Sequence, residues 1–332
     1  MMNKIILLKK RPFGKPSLSD FEFIREEMPT PKDNELLLKT VYVSVDPYLR
    51  GRMNDAKSYI PAFELNKPIQ SGIIAEVIDS KHPDFKKGDF VSSNLEWKEY
   101  QISNGKGLVK VDENEAKLSS YLGILGMTGL TAYLGLMEIG LPKKGETLVV
   151  SGAGGAVGSV VGQIGKLHGC KVVGLTGSDE KVSLLTSKFN FDQAINYKTT
   201  SNLKTAIRTA CPNGVDIYFD NVGGEISDAV LANINTYARL PVCGAISLYN
   251  VTEIQMGPRL QPILLTKSAT MRGFIISDFA EKFPEAIKQL TAWLKDDKIA
   301  FSETIVKGFD NIPQAFIDLF DGKNKGKMIV EI

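Results

Sequence analysis

The stretch Leu148–Val182, LVVSGAGGAVGSVVGQIGKLHGCKVVGLTGSDEKV, constrains the fold more than any other part of the chain. It begins as an apolar strand, breaks into glycines, continues with helical spacing and returns to a second apolar strand. Gly152, Gly155 and Gly158 can supply a tight turn, a close approach of the backbone to a pyrophosphate, and close helix packing. The strict G-x-G-x-x-G pattern fails at Val157, and a glycine turn that only packs is the alternative. The order of the elements nevertheless predicts a dinucleotide-binding unit.

The end of the second strand indicates which dinucleotide is preferred. NAD-binding proteins usually carry an acidic side chain there, which binds the ribose hydroxyls. Here Thr176 and Gly177 occupy this region, so no carboxylate would repel a 2′-phosphate. Ser178 can donate a hydrogen bond and Lys181 supplies a cation, although a lone helix lysine is more often only solvated. The pattern predicts that NADP(H) is the preferred cofactor.

The remaining chain alternates in character around this unit. Residues up to about 120 are rich in short strands and turns, whereas strand and helix patterns alternate from Thr147 onwards. Within this region we expect a helix over Ser119–Gly140 and strands over Ala238–Ser247 and Ala269–Ser277. Regular alternation implies parallel strands with crossover helices. The tail from Phe301 returns to strand and helix and is expected to pack with the first segment.

Bulk properties narrow the functional class. The formal net charge of +2 over 332 residues favours neither a nucleic-acid nor an anionic-membrane partner. No apolar run is long enough to cross a bilayer, and the N-terminal apolar stretch is too short for a secretory signal. The three scattered cysteines are typical of reduced thiols rather than of a disulfide framework. We therefore expect a soluble cytoplasmic protein.

The residue content also argues against zinc. A zinc site needs Cys, His or carboxylate ligands. The strand-rich first third contains no cysteine, and its one histidine is His82. The other histidine, His168, lies in the first dinucleotide helix beside Cys170, where packing is the simpler interpretation. The prediction is that the protein has no metal site.

At this point the motifs resemble a known family. The chain resembles the zinc-independent medium-chain dehydrogenase/reductase superfamily, in the branch of prostaglandin reductases, alkenal double-bond reductases and bacterial curcumin reductase. The resemblance covers essentially the whole chain. It is carried by six segments: Val43–Met53, Gly126–Tyr133, the glycine-rich stretch from Ser151 to Gly174, Phe219–Gly224, Cys243–Asn250 and Gly322–Val330.

The resemblance implies a fold, a reaction and an assembly. It implies an α/β protein in which a GroES-like β-rich substrate domain (residues 1–120 with 301–332) accompanies a doubly wound Rossmann NADP(H)-binding domain (residues 121–300). The implied activity is hydride transfer from NADPH to the carbon–carbon double bond of α,β-unsaturated ketones and aldehydes, in a homodimer and without a metal. An NADPH quinone reductase, or a cofactor-binding protein with little turnover, remains as an alternative.

The resemblance further implies which residues border the cofactor. Met127 and Thr128 would lie against the nicotinamide. The pyrophosphate would be lined by Gly152, Gly155, Ala156 and Val157, next to the helix glycine Gly158. The 2′-phosphate would be held by Gly177, Lys181 and Tyr197, beside Ser178. The remaining cofactor contacts would be Asn221, Cys243, Gly244, Tyr249, Phe274, Ile276 and Asn324.

Three residues are implied on the substrate side. Tyr249 matches a tyrosine near the substrate oxygen, and a donor there would stabilise the negative charge of an enolate. Its alternative role is to anchor its loop or stack on the cofactor. Tyr48 and Arg52 would face the substrate, with packing and a surface salt bridge as their respective alternatives.

Overall fold

The chain forms two compact units, and the computed structural model describes residues 2–332. One unit runs up to Leu122 and also contains Thr304–Asn324 and Met328–Ile332. The other contains Gly123–Glu303 and takes up three residues of the tail, Lys325–Lys327. The tail therefore contributes to both units.

The first unit is rich in antiparallel strands. Its strands and short helix are β1 (Met2–Leu8), β2 (Phe21–Glu27), β3 (Leu36–Ser44), α1 (Leu49–Arg52), β4 (Gln70–Ser80), β5 (Phe90–Glu96), β6 (Tyr100–Ser103) and β7 (Val109–Val111). The tail of the chain adds β14 (Glu303–Lys307), α9 (Ile312–Phe320) and β15 (Lys327–Glu331). The main sheet has the order β14-β15-β3-β4-β5-β7, with β6 paired to β3, and β1 pairs with β2 separately.

Aromatic side chains fill the core of this unit. Trp97 is completely buried, and its indole N–H donates to the Ser71 hydroxyl at 2.8 Å, which satisfies its polar atom. The Phe21 ring stacks on Trp97 at 6.3 Å between centroids and meets Phe316 of α9 edge-on at 6.5 Å. The tail helix is thus part of the same core as the N-terminal strands.

The second unit alternates helices with parallel strands. Its elements are α2 (Met127–Gly135), β8 (Thr147–Ser151), α3 (Ala156–Leu167), β9 (Lys171–Thr176), α4 (Asp179–Ser187), β10 (Gln193–Asn196), α5 (Leu203–Ala210), β11 (Val215–Phe219), α6 (Gly224–Leu231), β12 (Ile234–Val242), α7 (Leu260–Lys267), β13 (Thr270–Gly273) and α8 (Phe283–Lys295). The strands form one sheet in the order β10-β9-β8-β11-β12-β13. All five residues of β8 are buried, as expected for a central strand covered on both faces. The parallel sheet and the β-rich first unit confirm the expected α/β fold class.

Three expected elements differ from the structure in their bounds. The helix expected over Ser119–Gly140 is divided into a 3₁₀ turn at Leu118–Leu122, α2, and a π-turn at Leu136–Gly140. The break covers residues 123–126, and Gly126, with an extended backbone at φ −117° and ψ −153°, is the N-cap at which α2 begins.

The two shifted strands also have local causes. The strand expected over Ala238–Ser247 begins earlier and ends at Val242, because the next two backbone N–H groups donate to the Asp220 carbonyl. The strand expected over Ala269–Ser277 ends at Gly273. The Asp278 carboxylate accepts from the Ile275 N–H at 3.1 Å and starts a 3₁₀ turn there.

Glycines inside the helices offer a direct test of this packing. A Cβ on Gly162 of α3 would lie 1.9 Å from the buried Phe191 ring, whereas a Cβ on Gly51 of α1 would meet nothing within 4 Å. We expect Gly162→Ala to destabilise the fold by about 1–3 kcal/mol through overpacking. Gly51→Ala should stabilise it by up to ~1 kcal/mol through helix propensity. Thermal unfolding of both variants checks this, and equal midpoints would contradict the packing described.

Candidate active site

Most of the cofactor residues predicted from the sequence lie at the carboxyl-terminal end of the parallel sheet. The chain runs from β8 outward to β9 and β10, then returns to start β11 on the other side of β8. In such sheets ligands bind outside the carboxyl ends of the strands, where the strand order reverses. Most of the predicted residues follow the carboxyl end of a strand: the glycines after β8, Gly177, Ser178 and Lys181 after β9, Tyr197 after β10, Asn221 after β11, Cys243 and Gly244 after β12, and Phe274 after β13.

The glycine loop after β8 brings two backbone segments into close contact. Gly152 has a left-handed φ of +59°, and its carbonyl accepts from the Gly155 N–H at 3.0 Å. Gly155 then begins α3 as its N-cap, without a side-chain cap. A Cβ on Gly158 would lie 2.5 Å from the Gly152 carbonyl oxygen, so only glycine lets the helix pack this closely. Ala156 and Val157 form the first turn of the helix, whose N–H groups favour an anion.

The tail of the chain is hydrogen-bonded to the glycine loop. The Gly326 N–H donates to the Gly154 carbonyl at 2.9 Å, and Gly326 forms a parallel bridge with Gly155. A Cβ on Gly326 would lie 2.0 Å from the Ser302 carbonyl oxygen, and its φ is +67°. The predicted cofactor residue Asn324 belongs to the first unit, immediately before this segment. Sequence reasoning missed Gly326, although it lies in one of the motifs that carry the resemblance.

The aliphatic stem of Lys181, a half-buried residue, lies against the glycine loop. A Cβ on Gly154 would lie 2.8 Å from the Lys181 Cδ, so the lysine stem covers this glycine. The Ser178 hydroxyl accepts from the Lys181 backbone N–H at 3.3 Å and caps α4. The hydroxyl oxygen of Tyr197 would lie 2.8 Å from a Cβ on Gly177, so Tyr197 covers the neighbouring turn.

Two further lysines surround this position. Burial lowers the pKa of the Lys181 ammonium, the positive charges of Lys198 and Lys325 add to the shift, and Glu180 opposes it. Lys325 forms an ion pair with Glu180. Sequence reasoning missed Lys198 and Lys325, although Lys198 directly follows Tyr197 in the chain. Asp179 and Glu180 at the start of α4 offset part of this charge, and the three lysines leave the ends of β9 and β10 net positive.

The loops after β11 and β12 are joined to the glycine loop by hydrogen bonds. The Asn221 side-chain amide donates to the Ser151 carbonyl at 2.8 Å. Burial raises the pKa of the Cys243 thiol to about 12, and the Asp220 carboxylate adds to the shift, so the thiol stays protonated. The Tyr249 hydroxyl accepts from the Ala245 N–H at 3.4 Å and lies beside Gly244.

Of the remaining predicted residues in this unit, Thr128, Phe274 and Ile276 pack against its interior, whereas Met127 is exposed. The Thr128 hydroxyl donates to the Gly123 carbonyl at 3.0 Å, while Met127 is partly exposed at the start of α2. Phe274 packs its ring edge-on against Phe219 at 6.2 Å between centroids. Ile276 packs against the apolar cluster of α2 and α8.

Tyr48 and Arg52 lie in the first unit, at the two ends of α1. Burial raises the pKa of the Tyr48 hydroxyl well above its usual range, and Asp46 adds to the shift. Arg52 is only 8% exposed, so its alternative role as a surface salt-bridge partner is wrong. Its guanidinium lies 3.9 Å from the Phe63 ring centroid and donates through Nε to the Pro61 carbonyl, while the buried Nη1 has no hydrogen-bond partner.

The histidines and cysteines are dispersed. His82 packs edge-on against Phe85, and His168 packs against Trp293. Within residues 2–332, no three His, Cys, Asp or Glu side chains lie together as a metal ion would require. No helix in the same range is long and apolar enough to span a membrane.

Comparison with known proteins places this architecture in a family. Residues 4–111 match the model for the N-terminal domain of oxidoreductases, and residues 156–292 match the model described as zinc-binding dehydrogenase. A solved structure of CurA from Vibrio vulnificus in complex with NADPH superposes with a TM-score of 0.95 at 44% identity, covering 99% of this chain and 98% of that one.

Curated relatives match over almost their entire length. A putative NADP-dependent oxidoreductase of Bacillus subtilis, YfmJ, is 54% identical over 98% of this chain and 97% of its own. The NADPH-dependent curcumin reductase of Escherichia coli is 44% identical over 99% and 97%. The NADP(+)-dependent 2-alkenal reductase of Nicotiana tabacum is 42% identical over 99% and 97%. The chain belongs to the zinc-independent medium-chain dehydrogenase/reductase superfamily, in the branch of the curcumin, alkenal and prostaglandin reductases.

Proposed function

We propose that this protein is an NADPH-dependent reductase of the carbon–carbon double bond in α,β-unsaturated ketones and aldehydes. Relatives named as curcumin reductase and 2-alkenal reductase, at 42–44% identity over the full chain, support the reaction. The observation that carries the cofactor assignment is the position of Lys181 after β9, with Lys198 and Lys325 near it. Lys181 lies there against the glycine loop, and no carboxylate takes the ribose-binding position.

The residues of the second unit fit NADP(H). The start of α3 has no side-chain cap, and a Cβ on Gly155 would meet only the Gly152 carbonyl oxygen, so backbone N–H groups there can bind a pyrophosphate. Lys181, Ser178, Tyr197 and Gly177 would hold the 2′-phosphate, with Lys198 and Lys325 adding positive charge. The first unit, with the tail, would be the substrate domain.

The nicotinamide half would lie toward the ends of β11 and β12. Asn221, Cys243 and Gly244 would border it. Met127, Thr128, Phe274, Ile276 and Asn324 would complete its surroundings, as the family resemblance implies. The protonated Cys243 thiol would contribute packing rather than nucleophilic chemistry.

Bound NADPH supplies the hydride that adds to the β-carbon of the substrate. Negative charge then develops on the carbonyl oxygen, and we assign its stabilisation to the Tyr249 hydroxyl, which donates a hydrogen bond. Water can protonate the α-carbon. Tyr48, which stays neutral because burial raises its pKa, would offer a second donor to substrate, and Arg52 would contact it from α1.

The proposal extends to assembly and location. A homodimer is supported by the open edge strand β13 and by exposed apolar side chains in the same unit, of which Ile254 is 91% exposed and Leu265 80% exposed. Three free cysteines support a reducing, cytoplasmic location. Sedimentation equilibrium would show a species of twice the 36.4 kDa chain mass if the assembly is correct.

The function is tested by measuring NADPH oxidation with a simple enal, a simple enone and a quinone, and by repeating each assay with NADH. Saturated aldehyde or ketone products formed with a strong preference for NADPH support the proposal. Turnover of the quinone alone would indicate a quinone reductase. Tight NADPH binding without turnover would indicate a cofactor-binding protein.

Removing the Lys181 charge should change cofactor preference. A charge-assisted hydrogen bond is worth about 1.5–3 kcal/mol, so Lys181→Ala should raise the KM for NADPH about 10–100-fold and leave that for NADH nearly unchanged. Lys204→Ala on α5 is the control and should change neither value. Equal effects on NADPH and NADH would show that Lys181 does not contact the 2′-phosphate.

Removing the Tyr249 hydroxyl should slow the chemical step. Tyr249→Phe keeps the ring but loses the donor, so kcat should fall about a hundredfold or more while the KM for NADPH changes little. Tyr237→Phe, at a tyrosine that is 72% exposed, serves as the control. An unchanged kcat in Tyr249→Phe would leave the tyrosine only the anchoring or stacking role that phenylalanine can also perform.

A further inference from the structure

A buried carboxylate lies at the carboxyl-terminal end of the parallel sheet, among the residues of the candidate site. Asp220 directly follows β11 and is 3% exposed. Neither sequence motifs nor the proposed chemistry assigns it a role. A carboxylate rarely occupies such a position unless its oxygens are fully hydrogen-bonded.

Its two oxygens accept five hydrogen bonds from neutral donors. Oδ1 accepts from the Ser151 hydroxyl at 3.0 Å, the Tyr218 hydroxyl at 2.8 Å, the Val222 N–H at 3.0 Å and the Gly223 N–H at 2.9 Å. Oδ2 accepts from the Ser227 hydroxyl at 2.7 Å. Within residues 2–332, no Lys, Arg or His side chain pairs with this carboxylate. The negative charge of the Asp220 carboxylate is therefore stabilised by hydrogen bonds from neutral groups. This stabilisation depends on the positions of those donors.

The donors belong to separate strand ends. Ser151 is the last residue of β8 and immediately precedes the glycine loop. Its hydroxyl both donates to Asp220 and accepts from the Asn221 N–H at 2.9 Å, so it joins the loop to the end of β11. Val222 and Gly223 lead into α6, whose first turn contains Ser227.

The backbone of the same residue holds the end of β12. The Asp220 carbonyl accepts from the Cys243 N–H at 2.8 Å and from the Gly244 N–H at 3.2 Å, and the Asp220 N–H donates to the Pro241 carbonyl at 2.9 Å. One residue thus connects the carboxyl ends of β8, β11 and β12. Gly152, Asn221, Cys243 and Gly244, all predicted cofactor contacts, follow directly from these three ends.

The segments after β9 and β10 are not part of this network. Lys181, Ser178 and Tyr197 follow β9 and β10, and none of the five donors to the Asp220 carboxylate comes from these segments. The hydrogen bonds to the Asp220 carboxylate therefore lie on the β8, β11 and β12 side of the site, and the lysine cluster (Lys181, Lys198 and Lys325) lies on the β9 and β10 side.

We propose that Asp220 is a positioning residue that holds the glycine loop, Asn221 and Cys243–Gly244 in register for the pyrophosphate and nicotinamide half of NADPH. This inference rests on the proposed function, because it takes NADPH as the ligand. Asp220 does not touch the ligand in this account. It acts through Ser151 and through the backbone of the residues around it.

The test compares the binding of NADPH, which would occupy the whole site, with the binding of adenosine 2′-phosphate. Adenosine 2′-phosphate carries only the part of NADPH assigned to the lysine cluster. In Asp220→Ala, the dissociation constant of NADPH should rise about 10–100-fold, while that of adenosine 2′-phosphate should stay within about twofold of wild type. Calorimetry or cofactor fluorescence measures both constants without turnover. In Asp220→Asn the amide oxygen can still accept at the Oδ1 position, so NADPH binding should weaken by less than in Asp220→Ala.

Single-donor variants and a core variant separate positioning from general destabilisation. Tyr218→Phe and Ser227→Ala each remove one donor and should weaken NADPH binding by a smaller factor, again without changing adenosine 2′-phosphate binding. They also serve as the test if Asp220→Ala does not fold. Val215→Ala creates a cavity in the same strand without touching the network, and folded protein should bind both ligands as wild type does.

The outcomes distinguish this inference from the proposed function. If the wild-type protein binds NADPH but the Asp220 and single-donor variants weaken both ligands equally, or neither, Asp220 is not a positioning residue and only this inference fails. If the wild-type protein does not bind NADPH, the proposed function fails and the inference fails with it.

Discussion

The close approach of the glycine loop to the helix that follows it is the constraint on which the candidate site depends. With a Gly158 Cβ position only 2.5 Å from the Gly152 carbonyl oxygen, no other residue permits α3 to begin so close to the end of β8. That closeness exposes the first N–H groups of α3 along the loop, where an anionic group can approach backbone directly. Gly326 adds a hydrogen bond to the loop from the tail of the chain. The loop is therefore shaped by backbone contacts on both sides.

Positive and negative side chains lie at different places along the carboxyl-terminal end of the parallel sheet. After β9 and β10, three lysines gather, and burial with mutual repulsion lowers the pKa of Lys181. After β11, a single negative charge on Asp220 is held by five neutral donors. The lysines suit a phosphate monoester, whereas the Asp220 charge is compensated within the protein by its hydrogen bonds. Positive charge at this end of the sheet thus favours the 2′-phosphate of NADPH beside β9 and β10.

The sequence predicts the local features of the site better than the contacts between segments that are distant in the chain. The glycine spacing, the missing acidic residue and the two parallel strands are properties of one continuous segment, so periodicity and residue type reveal them. Lys325 and Gly326 act through partners far away in the chain, Glu180 and Gly154. Asp220 joins separate strands through Ser151 and through the backbone N–H groups of Cys243 and Gly244, and residue type alone does not reveal these partners. Arg52 shows the same limit, since its charge favours a surface position but its packing against Phe63 buries it. The sequence does not reveal the break in the helix before β8, because Gly126 and its neighbours fit helical spacing although their backbone is not helical.

The reaction assigned to this site is hydride transfer from NADPH to the β-carbon of a conjugated carbonyl compound. It is tested most directly by reducing an enone with NADPH deuterated at the transferable position and locating the label by NMR. The expected product is a saturated ketone with deuterium at the β-carbon. Deuterium on the carbonyl carbon of an allylic alcohol, or an unlabelled product, would contradict it.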